Sequence, residues 1–227
     1  MCSDLLRLIY PRICAACHHA LAGNEEVLCS FCLFYLPRTH FHLHADNELE
    51  RHFWGRVPLR RATAFCYFQK GSRLQRLIHQ LKYEGRTDIG RYLGKLYGLE
   101  LLQSAEFQQV DLLLPVPLHR SRLLQRGYNQ ADCICQGMAE ALQKPWSDQV
   151  LIRRQATDSQ TRKNRFERWE NVADVFAVAR PAAVAGKHLL LIDDVITTGS
   201  TLEAAAHSLL QYEAASVSVA GIGCAIR

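Results

Sequence analysis

Two short stretches of this chain combine residue types at spacings that imply chemistry. In LLLIDDVITTGST, Leu189 to Thr201, an apolar run meets two acids and then hydroxyl residues around a glycine. The apolar run reads as a buried strand, and a helical pattern opens at Ser200. In open parallel sheets, ligands bind beyond the carboxyl ends of the strands. Two adjacent carboxylates are costly to bury unpaired, and become reasonable when they face solvent, a metal ion or sugar hydroxyls. A helix start offers a phosphate free N–H groups and the positive end of a dipole, and a glycine lets the backbone come close. Asp193 and Asp194, followed by Thr197, Thr198, Gly199, Ser200 and Thr201, therefore describe a ribose 5-phosphate site. A strand with an Asp–Asp turn and a Ser/Thr helix cap is the plain alternative.

The second stretch is C-x2-C-x11-C-x2-C, formed by Cys14, Cys17, Cys29 and Cys32. Two such knuckles can place four thiolates tetrahedrally about Zn2+, in a closed structural site. The other cysteines, Cys2, Cys66, Cys133, Cys135 and Cys224, are scattered. An odd total of nine argues against a disulfide framework. Cys66 and Cys224 fall in strand-like runs and read as small core residues, while Cys133 and Cys135 face different sides of a helix. In HFHLH, His40, His42 and His44 alternate; an exposed loop is expected there in preference to a weak metal face.

The surrounding elements must position these groups. The 227 residues are 48% hydrophobic and 22% charged, the composition of a globular chain with room for one α/β core and a small appendage. No apolar run reaches the ~20 residues of a membrane span, and the opening MCSDLLRLIYPR lacks the features of a secretory signal, so a cytoplasmic protein is expected. The formal charge is +5, but residues 1–52 hold four Lys/Arg against six Asp/Glu, whereas 153–168 hold six against two. That basic stretch suits a phosphate-rich ligand or a nucleic acid. Residues 1–12 read as a short amphipathic helix, and VPLRRATAFCYFQKGSR as one or two strands around a turn at Gly71. Leu74, Leu77, Ile78 and Leu81 recur at helical spacing before Gly85, and a second helical pattern runs from Asp88 to Leu102. VDLLLPVP, VLI (150–152), HLLLIDD and SVSVAGIGCAI read as strands, with helices over Tyr128–Leu142 and Ser200–Tyr212. This alternation implies a parallel sheet flanked by helices.

The Leu189–Thr201 string resembles the phosphoribosyl pyrophosphate (PRPP) motif of type I phosphoribosyltransferases. LLLPVPLHRSRLLQRGYNQAD (112–132), LIHQLKYEGR and the run through Thr157, Gln160, Arg165, Asn171 and Phe176 resemble the ComF family, competence-associated proteins with such a domain. The resemblance covers nearly all of the chain from about Leu59. It implies a type I phosphoribosyltransferase fold over 53–227 behind a small zinc ribbon in 1–52. It also implies Asp193 and Asp194 on the ribose hydroxyls, 197–201 around the 5-phosphate, and Mg2+ arriving with PRPP. The turn after Pro117, with Arg120, Arg122 and Arg126, resembles the pyrophosphate loop of amidophosphoribosyltransferases; an exposed basic helix start is the alternative there. Residues 155–171 occupy the place of the flexible catalytic loop, which would set Arg162, Lys163 or Arg165 against the departing pyrophosphate. The resemblance points to an unknown acceptor, received by a hood in segment 33–70, and to single-stranded DNA or competence proteins as partners. It leaves an oligomer open. A non-enzymatic DNA-uptake or recombination factor, using the fold as a nucleotide sensor or DNA-binding surface, is the rival reading.

Overall fold

Strands made of continuous Leu, Ile and Val cannot leave either face to water and need cover on both sides. The computed structural model, which describes residues 11–154 and 175–225, meets that need with a four-stranded parallel sheet between two layers. The strands are β1 (Ala62–Tyr67), β2 (Leu112–Pro115), β3 (Leu151–Arg153), β4 (Phe176–Val178), β5 (His188–Ile196) and β6 (Ser216–Cys224). The main sheet runs in the order β1-β6-β5-β2, every pair parallel. Side chains alternate along β5, with Leu190 and Ile192 in the core on one face and Leu189 and Leu191 in the core on the other.

The helices are α1 (Ser30–Phe34), α2 (Glu48–Phe53), α3 (Arg73–Tyr83), α4 (Thr87–Leu101), α5 (Ala105–Gln108), α6 (Arg120–Arg126), α7 (Gln130–Leu142) and α8 (Ser200–Leu210). One face of the sheet is covered by α3, α4 and α7, the other by α2, α8 and the β3–β4 pair. The helix read from Leu74 to Leu81 is α3: the Ser72 hydroxyl caps it by accepting from Gln75 N, and the chain leaves it through Gly85 at φ +70°. Helices α4 and α7 lie backbone to backbone. A Cβ at Gly94 would sit 2.1 Å from the Ile134 carbonyl oxygen, and one at Gly137 2.0 Å from that of Arg91.

Two expectations are corrected. The VLI strand forms as β3, but it pairs antiparallel with β4 outside the main sheet. Leu151 is buried and Ile152 exposed, the alternation of a ribbon with one wet face. The loop expected to be exposed at His40, His42 and His44 buries His42, which is 1% exposed. A short 3-10 turn over Phe41–Leu43 swings Phe41 and His42 inward and Leu43 outward. Burial, with the charges of His40, Arg61 and His44, holds the His42 imidazole down at about 4. It is therefore neutral, which suits two ring nitrogens without a partner among the described residues.

The cysteine segment packs into the same core as the sheet. Ala15, Ala16, Val27, Leu28 and Leu36 are buried in one cluster with Leu77, Leu81 and Tyr97. Gln80 on α3 donates to the Ala15 carbonyl at 2.6 Å. Residues 1–10 of the expected first helix lie outside the described residues, as does the whole of 155–171 with Arg162, Lys163 and Arg165. Among the described residues no helix is long and apolar enough to cross a membrane.

Candidate functional site

Strand β5 outruns its neighbour β2, and this opens the site. Pairing with β2 stops at Pro115 opposite Ile192, whereas pairing with β6 continues to Ile196 opposite Cys224. Pro115 and Pro117 have no N–H to extend a ladder, and the last bond on that side is Val116 N to Ile192 O at 2.9 Å. Asp193 and Asp194 therefore stand at the crevice edge with the strand continuing beyond them. The Asp194 N–H donates to Asp193 Oδ1 at 2.8 Å, and Lys82 Nζ on α3 donates to Asp194 Oδ1 at 2.8 Å. Burial and then the Asp194 charge push the Asp193 carboxyl up to about 7, against the Asp194 N–H, Lys82 and Arg153.

That shift carries a sign for stability. The folded state holds the Asp193 proton more tightly than the unfolded chain, so its contribution is fully present below about pH 4. It is lost as pH rises through about 7. Ligand-free protein should therefore lose thermal stability between pH 5 and pH 8 more steeply than Asp193→Asn, as read by scanning calorimetry. Parallel curves would contradict the assignment.

A cavity of about 370 Å3 gathers the charged groups. Asp193, Asp194, Thr197 and Thr201 line it, together with Lys82, Arg122, Arg126 and Arg153. Arg122 and Arg126 are one turn apart on α6, so they share a face. The segment resembling a pyrophosphate turn is thus a short helix, capped by His119 and closed by Gly127 at φ +79°. Arg120, on the same helix, is not among the lining residues. Arg126 donates to Gln130 Oε1 at 2.7 Å and lies 5.2 Å over the Tyr83 ring. Asn129 caps α7 through Ala131 N and donates to the Val116 carbonyl at 3.1 Å, which ties the P-V-P strand end to the next helix. The Tyr128 hydroxyl donates to the Leu81 carbonyl. In RGYNQ, Tyr128 and Asn129 thus build the scaffold that holds Arg126 in place.

The 197–201 loop is held from below. Gly199 is the N-cap of α8 at φ +71° and has no side chain to cap it; the Thr198 hydroxyl accepts from Ser200 N at 3.5 Å, while the N–H groups of Thr201 and Leu202 have no partner among the described residues. A Cβ there would meet the Phe53 ring at 2.6 Å, a second reason for glycine. The Thr198 carbonyl accepts from Arg56 Nη1 at 3.0 Å and lies 2.9 Å from His52 Nε2. Arg56 also pairs with Glu203 on α8. Part of the segment taken as an acceptor hood is therefore a bracket for this loop. Sequence reasoning missed His52, Phe53, Arg56, Lys82 and Arg153 as site residues. Lys82 stood in the L-I-x-x-L-K-Y run and Arg153 opened the basic stretch, but no local signal joined residues 52–56 to Thr198.

The four cysteines meet as their spacing requires. Their sulfurs all lie within 4.8 Å of one another, with Cys17 and Cys29 at 3.6 Å. A tetrahedron with metal–sulfur bonds of about 2.3 Å has edges of about 3.8 Å, so the cluster fits Zn2+. Backbone N–H groups already point at the sulfurs, Cys29 N to Cys14 Sγ at 3.3 Å and Cys32 N to Cys29 Sγ at 3.4 Å. Burial pushes the Cys14 thiol up, but donors from Cys29, Ala16 and Cys17 outweigh it and bring it down to about 7. Such donors stabilise thiolate ligands. At the cavity, Asp193 and Asp194 are hard oxygen donors of the kind Mg2+ takes beside phosphate oxygens.

Known proteins resemble this chain in sequence. The family of the phosphoribosyl transferase domain matches residues 129–224. The DNA utilization protein YhgH of Escherichia coli O157:H7 is 34% identical over 222 residues, covering 96% of this chain and 93% of that protein. Competence protein F of Haemophilus influenzae is 31% identical over 150 residues, 64% of this chain and 66% of that protein. Among solved structures, glutamine phosphoribosylpyrophosphate amidotransferase from B. subtilis aligns over 63% of this chain and 30% of its own, with a TM-score of 0.46 and 19% identity.

Proposed function

Because the chain belongs to the ComF family, with a type I phosphoribosyltransferase fold and an N-terminal four-cysteine ribbon, we propose that its cavity binds PRPP together with Mg2+. One observation carries this reading: the acidic pair, the start of α8 at Thr201, and Arg122, Arg126 and Arg153 border a single cavity. Asp193 and Asp194 accept from the ribose hydroxyls, residues 197–201 surround the 5-phosphate, and the arginines pair with pyrophosphate oxygens, which their planar forks suit. When bound, Mg2+ neutralises pyrophosphate oxygens and so favours their departure. The reaction proposed is displacement of pyrophosphate from C1 of the ribose by an acceptor nucleophile. The C1–oxygen bond breaks with its electron pair going to pyrophosphate. Zn2+ in the ribbon is structural.

The relatives' names concern DNA utilization and competence, and we place this chain in the same handling of DNA. Exposed Phe31, Phe34 and Tyr35, with Arg73 stacked 5.3 Å over Phe31, form a surface of the kind on which unstacked bases rest.

Calorimetric titration of PRPP with Mg2+ tests the proposal. Wild type should bind, and Arg126→Ala should bind roughly tenfold to a hundredfold more weakly, the cost of losing hydrogen bonds to a charged group. No heat with wild type would refute the reading. Binding without pyrophosphate release in the presence of bases would assign the cavity to sensing, and repetition with a single-stranded oligonucleotide tests the link to DNA.

A further inference from the structure

The last turn of α3 is fastened in three directions, by Gln80, Leu81 and Tyr83. Gln80 donates to the Ala15 carbonyl of the cysteine ribbon at 2.6 Å, the Leu81 carbonyl accepts from Tyr128 of the RGYNQ motif, and Tyr83 lies under the Arg126 guanidinium at 5.2 Å. Between them, Lys82 sends its ammonium into the cavity to Asp194 at 2.8 Å, both side chains being largely buried at 22% and 14% exposure. Its stem is thus set by the fold, while its four-carbon chain leaves the charge free to swing.

The charge balance gives this contact a consequence. Among the described residues, four cations, Lys82, Arg122, Arg126 and Arg153, face two carboxylates in the same cavity. A bare divalent cation seeking Asp194 must displace Lys82 and then sit among three guanidinium groups. A diphosphate entering with the cation supplies anionic oxygens for those three groups and for the displaced ammonium, so each of these four cations keeps a partner. We infer that Lys82 guards the acidic pair: it occupies Asp194 in the free protein and yields it only to a divalent cation carried in on a diphosphate. This rests on the PRPP reading of the cavity and adds a specificity-determining residue to it. The exchange is of ion-pair partners alone, with no covalent change.

The test uses Mn2+ as a spectroscopic probe, titrated into the full chain with its ribbon loaded with zinc, with and without inorganic pyrophosphate. Wild type should bind Mn2+ weakly alone and at least tenfold more tightly with pyrophosphate. Lys82→Gln should bind Mn2+ alone roughly tenfold more tightly than wild type, as expected for removal of one competing, partly buried charge. Its gain from pyrophosphate should shrink. Adding Asp194→Asn to Lys82→Gln should abolish the new Mn2+ affinity, which places it at the acidic pair. Equal Mn2+ affinities in wild type and a folded Lys82→Gln would overturn the guard even with PRPP binding intact. A tighter Mn2+ site in Lys82→Gln, beside no PRPP or pyrophosphate binding by wild type, would keep the guard of Asp194 and overturn the diphosphate reading.

Discussion

Gly137→Ala should lower the midpoint of thermal unfolding by roughly 6–12 °C, the shift that about 3 kcal/mol produces in a chain of this size. The added methyl would stand 2.0 Å from the Arg91 carbonyl oxygen and 2.7 Å from Lys95 N, both backbone atoms of α4. A flexible side chain could move aside, but these atoms move only if the helices separate. Overpacking a close-packed interior costs about 1–3 kcal/mol where neighbours can adjust, so a backbone collision belongs at or above the top of that range. Alanine gains about 1 kcal/mol over glycine in helix propensity, which is too little to offset it. Gly94→Ala should behave alike, since its methyl would meet the Ile134 carbonyl oxygen at 2.1 Å. A variant as stable as wild type would mean that α4 and α7 do not touch in this way. Separation of the helices would also break the cross-helix pairs of Glu140 with Arg91 and Lys95, though these exposed pairs add little.

Removal of the zinc proposed for the ribbon should have a still larger effect. Structural zinc contributes apparent binding free energies of about 10–16 kcal/mol at neutral pH, as much as the whole stability of most domains. Cys14→Ser, or a strong chelator, should release one zinc per chain and unfold the ribbon. The damage should spread, because Ala15, Val27, Leu28 and Leu36 are buried in the same cluster as Leu77, Leu81 and Tyr97. Calorimetry combined with metal analysis checks this: the expected result is loss of the native transition, or its displacement by more than that of Gly137→Ala. A zinc-free chain with an unchanged transition would show that the cysteines fold without metal.

Elements with strong local patterns were legible in the sequence. The period of Leu74, Leu77, Ile78 and Leu81 before the stop at Gly85 identified α3 to within a residue or two, and the structure added its cap at Ser72. The apolar run before Asp193 identified β5, although the strand continues to Ile196 because β6 keeps pairing with it there. Less legible was the role of glycine in α4. Gly90, Gly94 and Gly98 recur every fourth residue, a stripe of small residues along one helix face. Periodicity alone reads them as weak helix formers, and only the arrival of α7 turns them into a contact surface. His42 failed for a related reason: polar–apolar alternation reads as a wet loop until a 3-10 turn rotates the residue inward.

By itself the sequence determined the local geometry of the two contiguous candidate sites, the strand–loop–helix of Leu189 to Thr201 and the paired cysteine knuckles. Each depends on groups close along the chain, whose geometry follows from local backbone periods and fixed spacing. Tertiary structure alone decided which charges those sites would face. Lys82 reaches Asp194 from 112 residues away, and Arg56 reaches Thr198 from 142. Contacts at such separations arise only when whole helices dock on the sheet, and for Lys82 and Asp194, both largely buried, burial makes the pairing obligatory.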